Sequence, residues 1–350
     1  MIRSTTNGVL KSYRYNLQRS TYTMNKARNT VLTGRNFNSF AEAPATAARC
    51  FQMRRSFQKV NTQHSVGESV VRKYEQAWSS LESVVQDVKN RTTDSAYTDI
   101  IKSLSDPTAS GRNALGQSMT ALAKGIAQTM NCRYGDNFVF AGADGLNVPF
   151  SWDDDGNLCY RGVKVDAGQA DAEALEKLKY MAGEVKYADI GLGMQEDENG
   201  QVIGGSVFNV ALQGINFLGY GVDADGDPNN VVSIISKMGQ ILERCDADSG
   251  AFQNEQDRED LERLAKKFEA SASKLSDKFT ELDTQAAFLK SNQKQLEGTA
   301  YTLQEQFIGI EDADPAEAIS AFAWAQYCYN TALKVGNSIL SQSLMDYLNS

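Results

Sequence analysis

One apolar repeat near the C-terminus constrains the fold of this chain more than any other feature. Between Leu261 and Ile310, core positions recur at spacings of three or four residues. They are Leu261, Leu264, Phe268, Ala272, Leu275, Phe279, Leu282, Ala286, Leu289, Gln293, Leu296, Ala300, Leu303, Phe307 and Ile310. At 1.5 Å per residue the run predicts a helix about 75 Å long, far longer than most globular helices. Such a helix needs long partner helices to bury its stripe.

The N-terminal part of the chain supplies a partner of the same kind. Apolar residues from Leu10 to Val31 recur at helical spacing and predict an amphipathic helix that ends at Gly34. Pro44 suits the first turn of a second helix. Within that helix, heptad spacing continues through Val70, Tyr74, Ala77, Leu81, Val84 and Val88. A turn-rich patch, "NRTTDS", and a third helix from Leu115 to Met130 follow. Helices from the two ends of the chain are therefore expected to pair.

The middle of the chain has a different pattern. From Asn137 to about Asn230, glycines separate short β-branched or aromatic segments such as "NFVFAG", "GNLCYRGVKV" and "SVFNVAL", a pattern typical of short strands. One brief helix is predicted near 170–183, and the helical pattern returns at 231–244. The predicted fold is mainly α, with a long antiparallel helical rod or coiled coil built from both chain ends and an inserted, small β-rich middle domain. The predicted divisions are 1–43, 44–136, 137–230, 231–313 and 314–350.

The last 33 residues form a segment with almost no charge. From Ala318 to Ser350 only Lys334 and Asp346 are charged. "DADPAE" predicts the start of this helix, with Asp314 as the cap and Pro315 in the first turn. Two neighbouring apolar seams follow: Ile319, Phe322, Tyr329, Leu333, Leu340 and Tyr347 form one, and Ala321, Ala325, Cys328, Ala332, Val335 and Ile339 form the other. A helix that is apolar on two sides is buried on both, either between copies of the protein or as the central helix of one domain.

Charge is distributed unevenly along the chain. The first 60 residues contain eleven Lys and Arg and one acid, Glu42, although the whole chain has a net charge of −9. The bases lie around the predicted helix and are interrupted by its apolar repeat, so a nucleic-acid surface is not favoured. We expect this basic arm to pack on an acidic helix of its own chain or of a neighbour. The segment from Asn254 to Asp314, with fourteen acids and eight bases, is such a helix.

The sequence gives no sign of catalysis, metal binding or a cofactor. The one histidine, His64, has no catalytic partners near it in sequence. The acidic clusters "DDDGN", "EDENG" and "DADGDPNN" fail the calcium-loop spacing and predict turns. The five cysteines are scattered, which favours free buried thiols. No stretch has the length and hydropathy of a membrane span, and the first residues lack the apolar core of a cleavable signal peptide.

Three motifs resemble the flagellin family, in its hook-associated protein 3 branch. "LTGRNFNSFAEAPATAAR" is similar to the N-terminal signature, with Gly34, Arg35, Ser39, Pro44 and Ala45 matching, and Glu42 and Ala43 replacing its paired aspartates. "NFVFAGADGLNVPF" is similar to the Phe-x-Phe-x-Gly and Pro-Phe element. The C-terminal "SLMDYL" is similar to a Ser-Leu-Leu-Asp-Phe-Leu ending, with Ser343, Leu344, Asp346 and Leu348 matching. The three motifs stand in the family's order.

The resemblance implies a structural role in the bacterial flagellum. It implies an adaptor at the hook–filament junction that is exported by the flagellar apparatus without a cleaved signal and with an export chaperone. The implied partners are further copies in a ring or short helical layer, hook-associated protein 1 on the hook side and flagellin on the filament side. No nucleic acid, membrane insertion, cofactor or catalysis is implied.

The resemblance also implies which segments assemble. The termini of relatives form a coiled-coil inner tube in the assembly, so residues 1–43 and 314–350 are the expected assembly segments. The expected interface residues are Leu10, Tyr13, Leu17, Met24, Val31, Ile319, Phe322, Tyr329, Leu333, Leu340, Leu344 and Tyr347. Two alternatives stay open: a flagellin of the filament, and a secreted coiled-coil adhesin or effector with a β binding domain.

Overall fold

Helices at both ends and short strands in the middle make up the computed structural model, which describes residues 6–89, 96–105, 109–246, 249 and 251–348. The first helices are α1 (Thr6–Thr33), α2 (Pro44–Lys89), α3 (Ala96–Ser105) and α4 (Ala109–Thr129). The middle contains β1 (Arg133–Tyr134), β2 (Asn137–Phe138), β3 (Ala141–Gly142), β4 (Phe150–Trp152), β5 (Leu158–Tyr160), β6 (Val163–Lys164), α5 (Ala172–Ala182), β7 (Tyr187–Ala188), β8 (Phe208–Asn209), β9 (Leu212–Gln213) and α6 (Gly214–Leu218). The last helices are α7 (Val231–Glu243), α8 (Glu255–Glu311) and α9 (Pro315–Leu348).

The predicted helix starts and stops are confirmed where the structure describes them. Helix α1 ends at Gly34, whose φ of 68° favours glycine, and α2 begins at Pro44. Helix α9 begins at Pro315, where the backbone N–H of Ala316 donates to Asp314 Oδ1 at 2.7 Å. The predicted run of fifteen core positions lies inside the 57 residues of α8. The patch at 90–95 lies outside the described residues.

The chain divides into two compact units. Among the described residues, unit 1 consists of 6–61 and 297–348, and unit 2 consists of 62–296. Each unit therefore contains segments from both halves of the chain, as the predicted pairing of long helices requires. The described helices include none that is both long enough and apolar enough to span a membrane.

Unit 2 contains the antiparallel pairing of α2 with α8. Trp78 packs against Phe279 with ring centroids 5.6 Å apart, and Lys290 Nζ lies 2.9 Å from Glu75 Oε1. The six heptad residues predicted for α2 are all buried. Gln293, the polar member of the α8 run, donates from Nε2 to the backbone oxygen of His64 at 2.9 Å. Its polarity is therefore used to join the two helices.

Helices α4 and α7 also cross at close distance within unit 2. Gly116 and Gly239 meet there, and a methyl group built on Gly239 would lie 2.9 Å from the Gly116 backbone oxygen and 3.1 Å from the Thr120 backbone nitrogen. Thr120 Oγ1 also donates to Glu243 Oε1 at 2.8 Å. Such short distances mean that only glycine allows the two backbones to approach this closely.

The predicted β-rich middle is confirmed, but its strands are only two or three residues long. Antiparallel pairs join β1 to β2, β3 to β9 and β7 to β8, and β4, β5 and β6 form a three-stranded sheet. Phe140, Phe150 and Tyr160 are buried in one apolar cluster with residues of α2, α4, α7 and α8. Because each sheet is small, contact with the helices stabilises the strands more than strand pairing does.

The three acidic clusters are turns, as predicted, and they share one design. Asp153, Asp197 and Asp223 each accept a hydrogen bond from a backbone N–H four residues later, at 2.7 to 2.9 Å. Gly156, Gly200 and Gly226, three residues after each Asp, have φ between 76° and 79°. Within the described part of the chain, no group of three or more His, Cys, Asp or Glu residues is placed to hold a metal ion. The five cysteines are free thiols; Cys50, Cys159 and Cys245 are buried.

Asp166 gives unit 2 a testable pH dependence. Burial raises the pKa of its carboxyl to about 6, against the opposing charges of Lys237 and Lys267. Because this lies above the usual value near 4, the folded state holds the proton more tightly, and the free energy of unfolding falls as the pH rises from about 4 to about 6. Asp166→Asn should remove this loss, so that thermal melts show the variant gaining roughly 1–2 kcal/mol on wild type between pH 4 and pH 7. Asp154→Asn, on an exposed turn, is the control. An equal difference from wild type at both pH values would contradict the prediction.

Candidate assembly interface

Helices α1 and α9 pack against each other in unit 1 along a strip of small residues. Ala318, Ala325 and Gly336 of α9 are buried, and the Tyr13 ring of α1 covers the backbone of Gly336. The two helices are antiparallel. Gly34, just after the end of α1, accepts a hydrogen bond from the Ala313 N–H, just before the start of α9, at 2.8 Å, whereas Tyr13 in the first half of α1 contacts Gly336 in the second half of α9. Small side chains let the two helices approach closely.

The predicted interface residues occupy two environments. Leu10, Tyr13, Leu17, Met24, Phe322 and Tyr329 are half-buried, whereas Val31, Ile319 and Leu333 are exposed. The side chains of Leu340, Leu344 and Tyr347 lie outside the described residues. Ala325 of one predicted seam of α9 is buried and Phe322 and Tyr329 of the other are half-buried, so each seam is only partly covered within one chain.

An aromatic surface on α9 was missed by the sequence reasoning. Trp324 and Tyr327 stack with ring centroids 5.8 Å apart, and both are exposed, by 68% and 63%. Ile319, Leu333 and Val335 add exposed apolar area to the same helix. We call these five residues the α9 apolar face. Trp324 and Tyr327 belong to neither predicted seam, and their only signal was a pair of large aromatic residues in a segment with almost no charge.

A groove between α1 and α9 borders this face. Its volume is about 440 Å³, and Arg19, Thr23, Trp324, Ala325 and Cys328 are among its walls. The indole of Trp324 therefore forms one edge of a depression that a side chain from another molecule could fill.

In unit 1, a cluster of polar contacts joins the α1–α2 loop and α2 to the end of α8. We call this cluster the latch. The Asn36 N–H donates to the Glu311 backbone oxygen at 2.8 Å, and Asn36 Nδ2 donates to the Asp312 oxygen at 2.9 Å. The buried Glu311 carboxylate pairs with Arg35 at 3.2 Å and also with Arg54. The latch thus joins the "LTGRN" and "EDADPAE" segments, which stand about 275 residues apart in the sequence.

Two further contacts support the latch. Burial raises the pKa of the Cys50 thiol, with the Glu311 carboxylate as the second cause, and the thiol sulfur lies 3.6 Å from Glu311 Oε2. Glu42, which replaces an aspartate of the signature that the N-terminal motif resembles, accepts a hydrogen bond from the Asn38 N–H at 2.9 Å. The substituted residue therefore closes the loop on itself.

Glu311→Gln should weaken unit 1 moderately. The change keeps the volume but removes the charge that holds Arg35 and Arg54; because both guanidinium groups are about half exposed, water replaces much of the lost interaction. We expect a loss of about 1–2 kcal/mol in the free energy of unfolding, measured by denaturant titration. The exposed Asp312, changed to Asn, is the matched control. A double-mutant cycle with Arg54→Met that shows no coupling to Glu311 would refute the latch.

Only some bases of the N-terminal basic arm, residues 1–60, contact the acidic helix α8 within the chain. Arg35 and Arg54 do pair with the acidic helix α8, as predicted. Helix α1 instead packs on α9, whose described side chains include just two charges, Glu317 and Lys334. The bases of α1, Lys11, Arg14, Arg19, Lys26 and Arg28, are exposed. Within the chain, therefore, the expected pairing with the acidic helix holds for Arg35 and Arg54 and not for α1, and packing of α1 on an acidic helix of a neighbour stays a prediction.

Comparison with solved structures gives the fold a counterpart. The chain is similar to a protein of Vibrio parahaemolyticus described as a flagellar hook-associated protein, with a TM-score of 0.56 over 77% of this chain and 99% of that one, at 11% identity. It is also similar to FlgL of Xanthomonas campestris, with a TM-score of 0.50 over 73% of this chain and 99% of that one, at 12% identity. The fold is that of flagellar hook-associated proteins. No protein-family model and no curated protein sequence matches the chain.

The low identity explains why the hook-associated fold is visible in structure and not in sequence searches. At 11–12% identity, few residues are shared with these structures although the fold is similar. The family resemblance read from three short motifs and the structural likeness therefore agree on the fold while resting on different observations.

Proposed function

We propose that this chain is a structural adaptor at the junction of the bacterial flagellar hook and filament, polymerising through its terminal helices. The observation that carries the proposal is the α9 apolar face, on a chain with the hook-associated fold. Exposed aromatic and apolar side chains next to a groove are typical of a protein–protein contact. Burial of two exposed aromatic side chains per subunit is also the kind of contribution that anchors an interface.

The interface in this proposal combines the predicted residues with those found in the structure. Residues 1–43 and 314–350 are the assembly segments, and the remaining segments, 44–136, 137–230 and 231–313, lie outside the contact between terminal helices. Within the assembly segments, Leu10, Tyr13, Leu17, Met24, Val31, Ile319, Phe322, Tyr329, Leu333, Leu340, Leu344 and Tyr347 are joined by Trp324 and Tyr327. We expect the exposed bases of α1 to face an acidic surface of a neighbouring molecule, because charges across an interface are complementary.

The partners follow from the position of such an adaptor. Copies of the chain form a ring or short helical layer, with hook-associated protein 1 on the hook side and flagellin on the filament side. The protein acts outside the cell on the flagellum, after export without a cleaved signal by the flagellar apparatus and an export chaperone. Its role is structural, with no catalysis, cofactor, nucleic acid or membrane insertion.

Deletion of the gene tests this proposal. Cells without the protein should complete their hooks, fail to hold filaments and release flagellin into the medium, and the wild-type gene should restore filaments. Electron microscopy of the cells and detection of flagellin in the supernatant measure the two effects. Intact filaments in the deletion strain would favour the adhesin or effector alternative, and absence of flagellin from both cells and medium would favour the filament alternative.

A further inference from the structure

A pocket of about 330 Å³ opens in unit 2 between α2, the β1–β2 hairpin and the segments beside β7 and β8. Val70, Phe138, Val139 and Val210 give it apolar walls, and Lys73 and Lys186 bring two ammonium groups to it. A volume of this order is typical of a small-molecule site. None of these residues belongs to the assembly segments.

Lys73 is held in place but incompletely satisfied. Its Nζ donates one hydrogen bond, 2.8 Å long, to the backbone oxygen of Val210. An ammonium group has three N–H donors, and this is the one partner of Lys73 among the described residues. An acceptor placed in the pocket would therefore bond the N–H groups of Lys73 that no described residue accepts.

The charges around the pocket also favour an anionic ligand. Burial, and after it the nearby charge of Lys186, together lower the pKa of Lys73 to about 8. No described carboxylate pairs with either lysine, and Asp136, on the rim, is the one acid in the pocket lining. Two positive charges and one negative charge leave a net charge of +1, which matches a single anion.

We propose that this pocket binds a small organic monocarboxylate, with its carboxylate between Lys73 and Lys186 and its apolar body against Val70, Phe138 and Val210. The two lysines exclude a metal ion by repulsion. The apolar walls favour a ligand with a hydrocarbon part over a fully hydrated inorganic anion. The net charge favours a monoanion over a dianion.

Benzoate is a suitable probe. Methyl resonances of Val70, Val139 and Val210 should shift and saturate on titration of the purified full-length chain, with a Kd of about 1 mM or lower for a ligand of this size. Benzyl alcohol, which has the ring without the charge, should bind at least about tenfold more weakly. Inorganic phosphate should not displace benzoate at equal concentration. Absence of saturation, equal binding of benzyl alcohol, or displacement by phosphate would each overturn the proposal.

The source of the carboxylate and the role of the lysines are tested in the same assay. N-acetylglutamate amide, which carries the carboxylate on a peptide-like body, should bind at least about tenfold more weakly than benzoate, and equal binding would assign the pocket to a protein side chain and overturn the free-ligand proposal. Lys73→Met and Lys186→Met should each weaken benzoate binding about tenfold. Lys124→Met, at an exposed position of α4, should leave it unchanged. If Lys73→Met does not fold, the exposed Lys186 still decides: unchanged affinity in Lys186→Met refutes the site.

Discussion

Replacing Leu333 by aspartate is expected to prevent assembly into the flagellum while leaving the melting temperature of the free subunit nearly unchanged. Leu333 is 42% exposed on α9 and belongs to the α9 apolar face, so the free chain gains little from its burial. In the proposed assembly the new carboxylate would be buried without a partner, which costs several kcal/mol at every subunit. Cells with the variant should export it, build hooks without stable filaments and release flagellin.

A charge placed nearby separates loss of apolar contact from a general effect of charge. Asn330→Asp adds the same carboxylate one turn away on α9, at an exposed position, without removing an apolar group. This variant should assemble better than Leu333→Asp in the same cells. A large fall in the melting temperature of Leu333→Asp would favour burial within a single domain, and normal motility would remove Leu333 from the assembly contact.

Gly239→Ala is expected to destabilise unit 2 by about 2–4 kcal/mol, because the added methyl group would force apart the backbones of α4 and α7. The nearest neighbour of that methyl group would be the side-chain Oγ1 of Thr120 at 2.6 Å. The Gly116 backbone oxygen at 2.9 Å and the Thr120 backbone nitrogen at 3.1 Å cannot move aside as a flexible side chain can. Urea titration followed by circular dichroism measures the loss.

The chain contains a matched glycine for comparison. Gly125 is exposed in α4, and a methyl group there would contact nothing within 4 Å. Gly125→Ala should therefore stabilise the helix by about 0.5–1 kcal/mol through helix propensity alone. Equal effects of the two substitutions would show that the α4–α7 crossing is not as close as the structure has it.

The sequence predicted the helices well because their apolar spacing is long and regular. The run inside α8 and the heptads of α2 each repeat enough times to fix the element and its inner face. The crossing at Gly116 and Gly239 was not predictable, since a glycine in a helix reads as a weak position unless the opposing backbone is known.

For the candidate interface, too, the sequence pattern predicted the apolar residues but not which of them the rest of the chain covers. The seams of α9 were visible as a pattern, but periodicity does not say which part of an apolar helix is covered by its own chain. Packing on α1 leaves Ala325 of one seam buried, Phe322 and Tyr329 of the other half-buried, and Trp324 and Tyr327 exposed, a result of tertiary packing. Likewise, nothing local in "TGRN" indicates that Asn36 bonds the backbone at Asp312.

Immunogold labelling of intact flagella tests the central claim most directly. An antibody against an epitope tag inserted in the exposed Asp197 turn, away from the assembly segments, should label one position per flagellum, where the hook meets the filament. Label distributed along the filament would identify a filament subunit and contradict the adaptor role. Label on the cell surface or in the medium, with bare flagella, would contradict any place for this chain in the flagellum.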